Sequence, residues 1–380
     1  MIGFHLTPEQ EELRRLARRF AQQEIAPVAA AYDRSGDYPW EIIKKGHEIG
    51  LLNESIPTEY GGGGMGVLEA CLIAEELSAA CAGMATNFMA NTLATNPIVL
   101  AGTPEQKAHF LLPFTASPQM AAFCLTEPSG GSDVAAMLST VRRDGDTYVL
   151  NGTKTFISNG SVASLYTVFA TLDPKLKHRG ICAFALPATT PGVRAGRKLE
   201  KMGQRCADTA EVVFEEVRLP RFSLLGAEGE GFKIAMQTLD RTRPLIAAQA
   251  VGLARAAMEA AIEYAKHRVQ FGVPIARHQA IQFMLADMAT DIEAARLLAW
   301  QSAWLADQGR RQTRESAIAK LFATDMCMRV TTDAVQIFGG YGYMTEFPVE
   351  KYMRDAKLLQ IYEGTNQIQR LVIARHTLGE

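Results

Sequence analysis

The sequence has no pair of cysteines close enough to make CxxC, no HExxH, and no grouping of its seven histidines at ligand spacing. A metal site is therefore not expected. The six cysteines, at 71, 81, 124, 182, 206 and 327, are scattered and read as free thiols, not as a disulfide framework. There is no GxxxxGK[ST] loop for nucleotide phosphates and no GxSxG turn for a serine nucleophile. Neither sign of charge is in excess: 39 Lys and Arg stand against 41 Asp and Glu, a formal net charge of -2. That balance excludes the electrostatic footprint of a nucleic-acid or anionic-membrane binder. Apolar runs fall far short of a membrane span. The first residues carry no basic n-region, apolar h-region or Arg-rich transit pattern, so the chain reads as cytoplasmic.

What is present is 48% hydrophobic residues in 380 positions, enough for a large core and two or three domains. The first third reads as helical. Thr7, Pro8 and Gln10 form a capped start with Pro in the first turn, and the helix they open should stop near Pro27. Further helical runs cover Trp40 to Gly50, "VLEACLIAEELSAA", Asn87 to Leu100, and a segment capped by Thr103-Pro104. No strand pattern occurs before residue 120. The middle is rich in Val, Thr, Tyr and Phe, with turn signals at Asp144-Gly145 and Asn151-Gly152. That spacing predicts a small antiparallel barrel or sandwich. The end is helical again. Long runs at Leu245 to His267, Ile281 to Asp307 and Thr313 to Phe338, with a last helix after Glu363, predict an antiparallel four-helix bundle. The expected domains are 1–120, 121–233 and 234–380.

"GGGGMG" at 61–66 matches GxGxxG in letters only. Pro57 breaks the segment before it and no parallel βαβ pattern follows, so it reads as a flexible loop. "LTEPSGGSD" at 125–133 is a strand end followed by small residues. It suits either an ordinary turn or a cradle of N–H groups and hydroxyls for a polar ring or phosphate. "TFISNG" at 155–160 is similar, and "DRTRP" at 240–244 puts two arginines around Thr242 just before a helix. Glu363 precedes Gly364-Thr365-Asn366, a turn that Asn366 and Gln369 can cap. By local sequence it is either a carboxylate interacting with a helix N-terminus or a desolvated base raised by apolar Ile361 and Tyr362.

Eight strings in order, "FCLTEPSGGSD", "NGTKTFISNG", "MGQRCADT", "LDRTRP", "HRVQFG", "QIFGGYGY", "PVEKYMRDAK" and "IYEGTNQIQR", resemble the acyl-CoA dehydrogenase family, most closely its short- and medium-chain members. The resemblance spans essentially the whole chain. It implies an N-terminal helical domain, a central β-barrel and a C-terminal four-helix domain, assembled as a homotetramer, with FAD as cofactor and a fatty acyl-CoA as substrate. The implied reaction is α,β-dehydrogenation to the trans-2-enoyl-CoA within fatty acid β-oxidation. An electron-transferring flavoprotein is the implied electron acceptor. Glu363 is implied as the base that takes the α-proton while the β-hydrogen leaves as hydride to flavin N5.

By motif match, Phe123, Leu125, Thr126, Gly131, Ser132, Phe156 and Ser158 should meet the flavin, with Ser132 also near CoA. Arg268, Phe271, Gln336, Ile337, Gly339 and Gly340 should reach a neighbouring subunit's FAD. Thr365 and Gln367 should contact FAD or substrate beside the base, as should Gly364. Asp240 and Arg243 should contact the CoA adenine side, and Phe88 and Met89 should limit the acyl pocket. Phe156 stands where the family commonly has Trp. Thr242 stands where some subfamilies carry the base, leaving Glu363 without a rival. An oxidase passing electrons to oxygen and a non-catalytic acyl-CoA-binding member are the alternatives on the same fold.

Overall fold

Helices and strands segregate along the chain because the hydrophobic period changes from 3.6 to 2 and back. The computed structural model describes residues 5–379. Six helices come first: α1 (Pro8–Phe20), α2 (Ala29–Ser35), α3 (Trp40–Glu48), α4 (Val67–Ala80), α5 (Ala82–Ala101) and α6 (Pro104–Ala116). The capping box predicted at Thr7 is formed, and the cap predicted at Thr103 is completed by Gln106 into a second box. No described residue before Ala121 lies in a strand.

The middle is one sheet: β1 (Ala121–Cys124), β2 (Thr140–Asp144), β3 (Thr147–Ser158), β4 (Leu165–Thr171), β5 (Ile181–Pro187), β6 (Val193–Lys198), β7 (Thr209–Pro220) and β8 (Leu224–Leu225). Its order is β6-β7-β3-β2-β4-β5-β8, with β1 beside β4. Pairing is antiparallel except β1–β4 and a single β2–β4 pair, which are parallel. A return from β1 to β4 through two intervening strands is not written in any local turn signal.

The C-terminal part holds α7 (Gly231–His267), α8 (Gln279–Asp307), α9 (Thr313–Phe338), α10 (Val349–Leu359) and α11 (Asn366–Leu378). Two readings change here. The helix expected from Leu245 begins at Gly231 and runs through Pro244, and "PVEKYMRDAK" forms α10. Proline deprives the Asp240 carbonyl of its donor four residues on. The Gln312 side chain supplies a replacement, donating from Nε2 to Asp240 O at 2.7 Å, so α7 continues. At 37 residues α7 is long and apolar enough to cross a membrane, but its most apolar stretch is largely buried against other helices. Ala247, Ala250, Ala254, Ala257, Ala261 and Ala265 form a small-residue face, and α9 packs on it.

Where α4 crosses α7, a Cβ on Gly252 would stand 2.0 Å from Glu75 O. Backbone cannot yield there as a side-chain tip can. Gly252→Ala is therefore expected to destabilise the chain by roughly 1–3 kcal/mol or more. The thermal unfolding midpoint checks this against Gly145→Ala, whose added Cβ meets nothing within 4 Å. Because Gly145 has φ 61°, that control loses only what its turn conformation costs.

Candidate active site

The turn between α10 and α11 presents Glu363 in a conformation that side chains resist. Its φ is 54°, the left-handed region, which costs a non-glycine residue roughly 1–3 kcal/mol and persists only where surroundings enforce it. The enforcement is visible. Gln369 Nε2 donates to Glu363 O at 3.3 Å and Gly364 O at 2.9 Å. Arg243 Nε reaches Glu363 O at 3.4 Å, and Lys320 Nζ donates to Gly364 O at 2.9 Å. Gly364 is obligatory: its φ is 90° and a Cβ would meet Gln369 Nε2 at 2.6 Å. The cap of α11 is Thr365, whose hydroxyl accepts from Ile368 N–H. Asn366, expected to cap, is buried and bonded to Lys320, Thr324 and Asp325.

The Glu363 carboxyl has one direct partner among the described residues. Thr242 donates its hydroxyl to Oε2 at 2.6 Å. Oε1 makes no hydrogen bond and is not among the sealed, unpaired oxygens, so a lone pair faces open space. Burial pushes the carboxyl up to about 7, opposed by the Thr242 hydrogen bond and then by the charges of Arg243 and Lys320. The residue itself is half-buried; the shift follows from enclosure of the carboxylate on its protein side. Such a group is ionised in part near neutrality and basic enough to take a proton. The neighbouring Tyr362 donates to Gln249 Oε1 at 2.6 Å, and Gln249 Nε2 donates to Thr86 at 2.8 Å. The protein side of the Glu363 turn is therefore tied to α7 and α5.

Thr242, Asp240 and Arg243 lie inside α7. Asp240 accepts from Thr313 at 2.5 Å and pairs with Arg243 at 2.9 Å. Arg243 is 5% exposed, paired with Asp240 and within reach of the Glu363 carbonyl, which places it against the turn that carries Glu363. Phe88 departs from expectation. Its ring packs against Phe20 and over Gly46, inside the N-terminal core and away from the base. Met89, one residue on, faces the α4–α7 side.

The sheet supplies a second surface. Thr155 N–H donates to Thr126 O at 2.9 Å, which brings the 125–133 loop beside Phe156 and Ser158. β3 is irregular against β7 between Lys154 and Ile157, and Phe156 there has φ 56° and is 68% exposed. The bulge turns an aromatic face outward that strict alternation would have paired. The loop is pinned by a buried ion pair: Lys154 Nζ meets Glu127 Oε1 at 2.8 Å, while Leu138 N–H and Ser139 N–H donate to the same carboxylate. Leu125, Thr126 and Gly131 line a small hollow of about 90 Å³. Gly131 and Ser132 are exposed, and Phe123 is partly buried against Phe169. An outward aromatic beside a polar, glycine-containing loop fits one face of a flat ring system.

A separate cavity of about 500 Å³ lies at the other end of the helical domain, lined by Arg268, Ile337, Gly339 and Gly340 with Tyr264 and Tyr341. Phe271 is 95% exposed and Gln336 is exposed. Neither Glu363 nor any residue of 125–158 lines this cavity, so one chain does not bring the two groups together. Thr365 and Gln367 follow Glu363 at the start of α11, Gln367 exposed. Sequence reasoning missed Lys320 and Gln249, which sit in unremarkable helical runs; it named Gln369 only as a capping partner of Asn366, where the side chain instead holds the Glu363 and Gly364 carbonyls, and it set Thr242 aside as a residue unable to act as base.

Family models match the whole architecture: acyl-CoA dehydrogenase N-terminal domain over 7–117, middle domain over 122–217 and C-terminal domain over 229–378. The chain belongs to the acyl-CoA dehydrogenase family, and by that membership it is a flavoprotein oxidoreductase. It is 46% identical over 373 residues to the mitochondrial short-chain specific acyl-CoA dehydrogenase of Mus musculus, covering 98% of this chain and 90% of that one. Butyryl-CoA dehydrogenase from Megasphaera elsdenii superposes with a TM-score of 0.97 at 45% identity, covering 99% of this chain and all of that one. A chain in a structure solved for work on the electron transferring flavoprotein of Acidaminococcus fermentans gives a TM-score of 0.97 at 46% identity, covering 100% of both.

Removing the Thr242 hydroxyl removes a hydrogen bond to the charged form of Glu363. Thr242→Val is expected to raise the carboxyl further, moving the rising limb of a pH–rate profile up by roughly half to one pH unit. Flavin reduction measured across pH checks this; a limb that stays at the parent position excludes the hydrogen bond as a determinant.

Proposed function

We propose that this chain dehydrogenates short-chain acyl-CoA thioesters at the α,β-bond, with Glu363 taking the α-proton. The observation that carries the proposal is the Glu363 carboxyl itself: one oxygen fixed by Thr242, the other unpaired, on a turn held by hydrogen bonds from three helices. The short acyl group follows from the names of the similar proteins, a short-chain specific dehydrogenase and a butyryl-CoA dehydrogenase. The Glu363 N–H donates to no acceptor among the described residues. It is free to bind the thioester oxygen, where hydrogen bonding acidifies the α-carbon. Thr126, Phe156 and Ser158 would hold the flavin ring, and Ser132 the adjoining CoA. FAD, when bound, supplies the hydride acceptor for the β-hydrogen.

The cavity at Arg268 and Gly339–Gly340 would take the adenosine part of a neighbour's FAD, which makes the working form an oligomer; a homotetramer is the proposed assembly. Arg268 is suited to a diphosphate because a guanidinium binds it through two parallel donors. An electron-transferring flavoprotein is the proposed electron acceptor, a reading supported by the likeness to the Acidaminococcus chain.

Purified protein should release FAD, not FMN, on denaturation, and butyryl-CoA should bleach the flavin anaerobically. kcat/KM should rise with pH through about 7, the position to which burial pushes Glu363, because only the ionised carboxyl accepts a proton. Glu363→Gln keeps the side-chain volume and removes the base. Stopped-flow flavin reduction should fall at least about 10²–10⁴-fold, while the flavin absorbance still shifts on acyl-CoA binding. Reduction within tenfold of the parent rate sinks the assignment of Glu363.

A further inference from the structure

We propose that Lys320 is a positioning residue of this site: its ammonium grips the turn that carries Glu363 and is the buried counter-charge of that carboxylate. The proposal rests on the reading of Glu363 as base. Lys320 lies on α9 and is 0% exposed. Its Nζ donates to Gly364 O at 2.9 Å and Asn366 Oδ1 at 2.8 Å. Both acceptors are neutral, and no carboxylate lies within ion-pair distance of Nζ among the described residues. A neutral amide or hydroxyl would make comparable hydrogen bonds without the desolvation cost of a buried ammonium. What lysine adds at this position is a charge, present in full below about pH 7 and lost as pH rises past it, so it acts on Glu363 over the lower part of that carboxyl's titration.

The surrounding charges say which group uses it. On α7, Asp240 and Arg243 are paired with each other. On α9 and α11, Asp325 and Arg370 are paired at 2.8 Å, and Asp325 also accepts from Asn366. That leaves Glu363 as the acid without a contacting cationic group on its carboxylate, and Lys320 as the cation without a contacting carboxylate. Lys320 bonds the carbonyl of Gly364, the residue that follows Glu363. Burial pushes the amine down to about 7, and the charge of Glu363 is the largest influence holding it up, against Arg243. Reciprocally, Lys320 holds Glu363 below where burial would put it. The sign is fixed: deleting the cation favours the protonated carboxyl, so Glu363 titrates higher and the base ionises later as pH rises.

Lys320→Met and Lys320→Gln both delete the charge, and only Gln keeps a donor toward the turn. The Glu363 carboxyl is followed by difference infrared titration, its band assigned by loss in Glu363→Gln. Both Lys320 variants should titrate about one pH unit above the parent. The rising limb of flavin reduction should move by the same amount, with Gln keeping more of the plateau rate than Met. A carboxyl that titrates at the parent position in a folded variant overturns the proposal. Should neither variant fold, Glu363→Gln reads the coupling from the other side. By linkage, the Lys320 amine, followed by NMR in isotope-labelled protein, should titrate about one unit lower, and an unmoved amine overturns the proposal. A Glu363→Gln protein that reduces its flavin at the parent rate removes the base reading instead, and leaves the infrared result as a separate fact about the pair.

Discussion

Everything at the site depends on keeping one residue, Glu363, in a left-handed conformation with its carboxylate half out of water. Neither condition is self-sustaining. The backbone strain is offset by hydrogen bonds from Gln369, Arg243 and Lys320 to two consecutive carbonyls, and those donors come from α11, α7 and α9. The carboxylate is shaped by a neutral hydroxyl in contact and by cations set one peptide away. A cation in direct contact would have held the carboxyl far lower, and a weak base would result. Distance from charge is thus part of the design of the site.

Ionic contacts, most of them largely buried, cross between other parts of the fold. Glu76 on α4 receives Arg18 from α1 and Arg255 from α7, while Glu75 receives Arg296 from α8. Arg354 on α10 joins Asp33 on α2, Glu350, and the Met202 carbonyl of the sheet domain. Lys154 and Glu127 pin the loop next to Phe156. Buried pairs of this kind add little net stability against apolar replacements, yet breaking one leaves an unpaired charge. Moving one of these helices would leave a buried charge without its partner.

The two halves of the proposed flavin contact lie apart in one chain. The Phe156 face and the Arg268 cavity sit on different elements with no lining residue in common. Phe271, on the loop after α7, is 95% exposed, and aromatic groups are enriched where proteins meet.

The sequence by itself determined the helical, sheet and helical order, the capped starts at Thr7 and Thr103, the α9 limits and the turn before α11, because each rests on local period and turn chemistry. It also singled out the 125–133 and 155–160 stretches and Glu363, through strings that only family resemblance made meaningful. Tertiary structure decided the rest. Pro244 was read as sitting ahead of a helix start, and only Gln312, 72 residues downstream of Asp240, lets α7 run through it. Phe88 and Met89 are adjacent letters, and helix rotation sends one into the N-terminal core and the other toward α7. Lys320 reads as an ordinary helix lysine until folding strips its water and sets it beneath Gly364. Partners tens of residues apart supply the donors, charges and enclosure that local sequence cannot encode, and those long-range groups raise and position the Glu363 carboxyl.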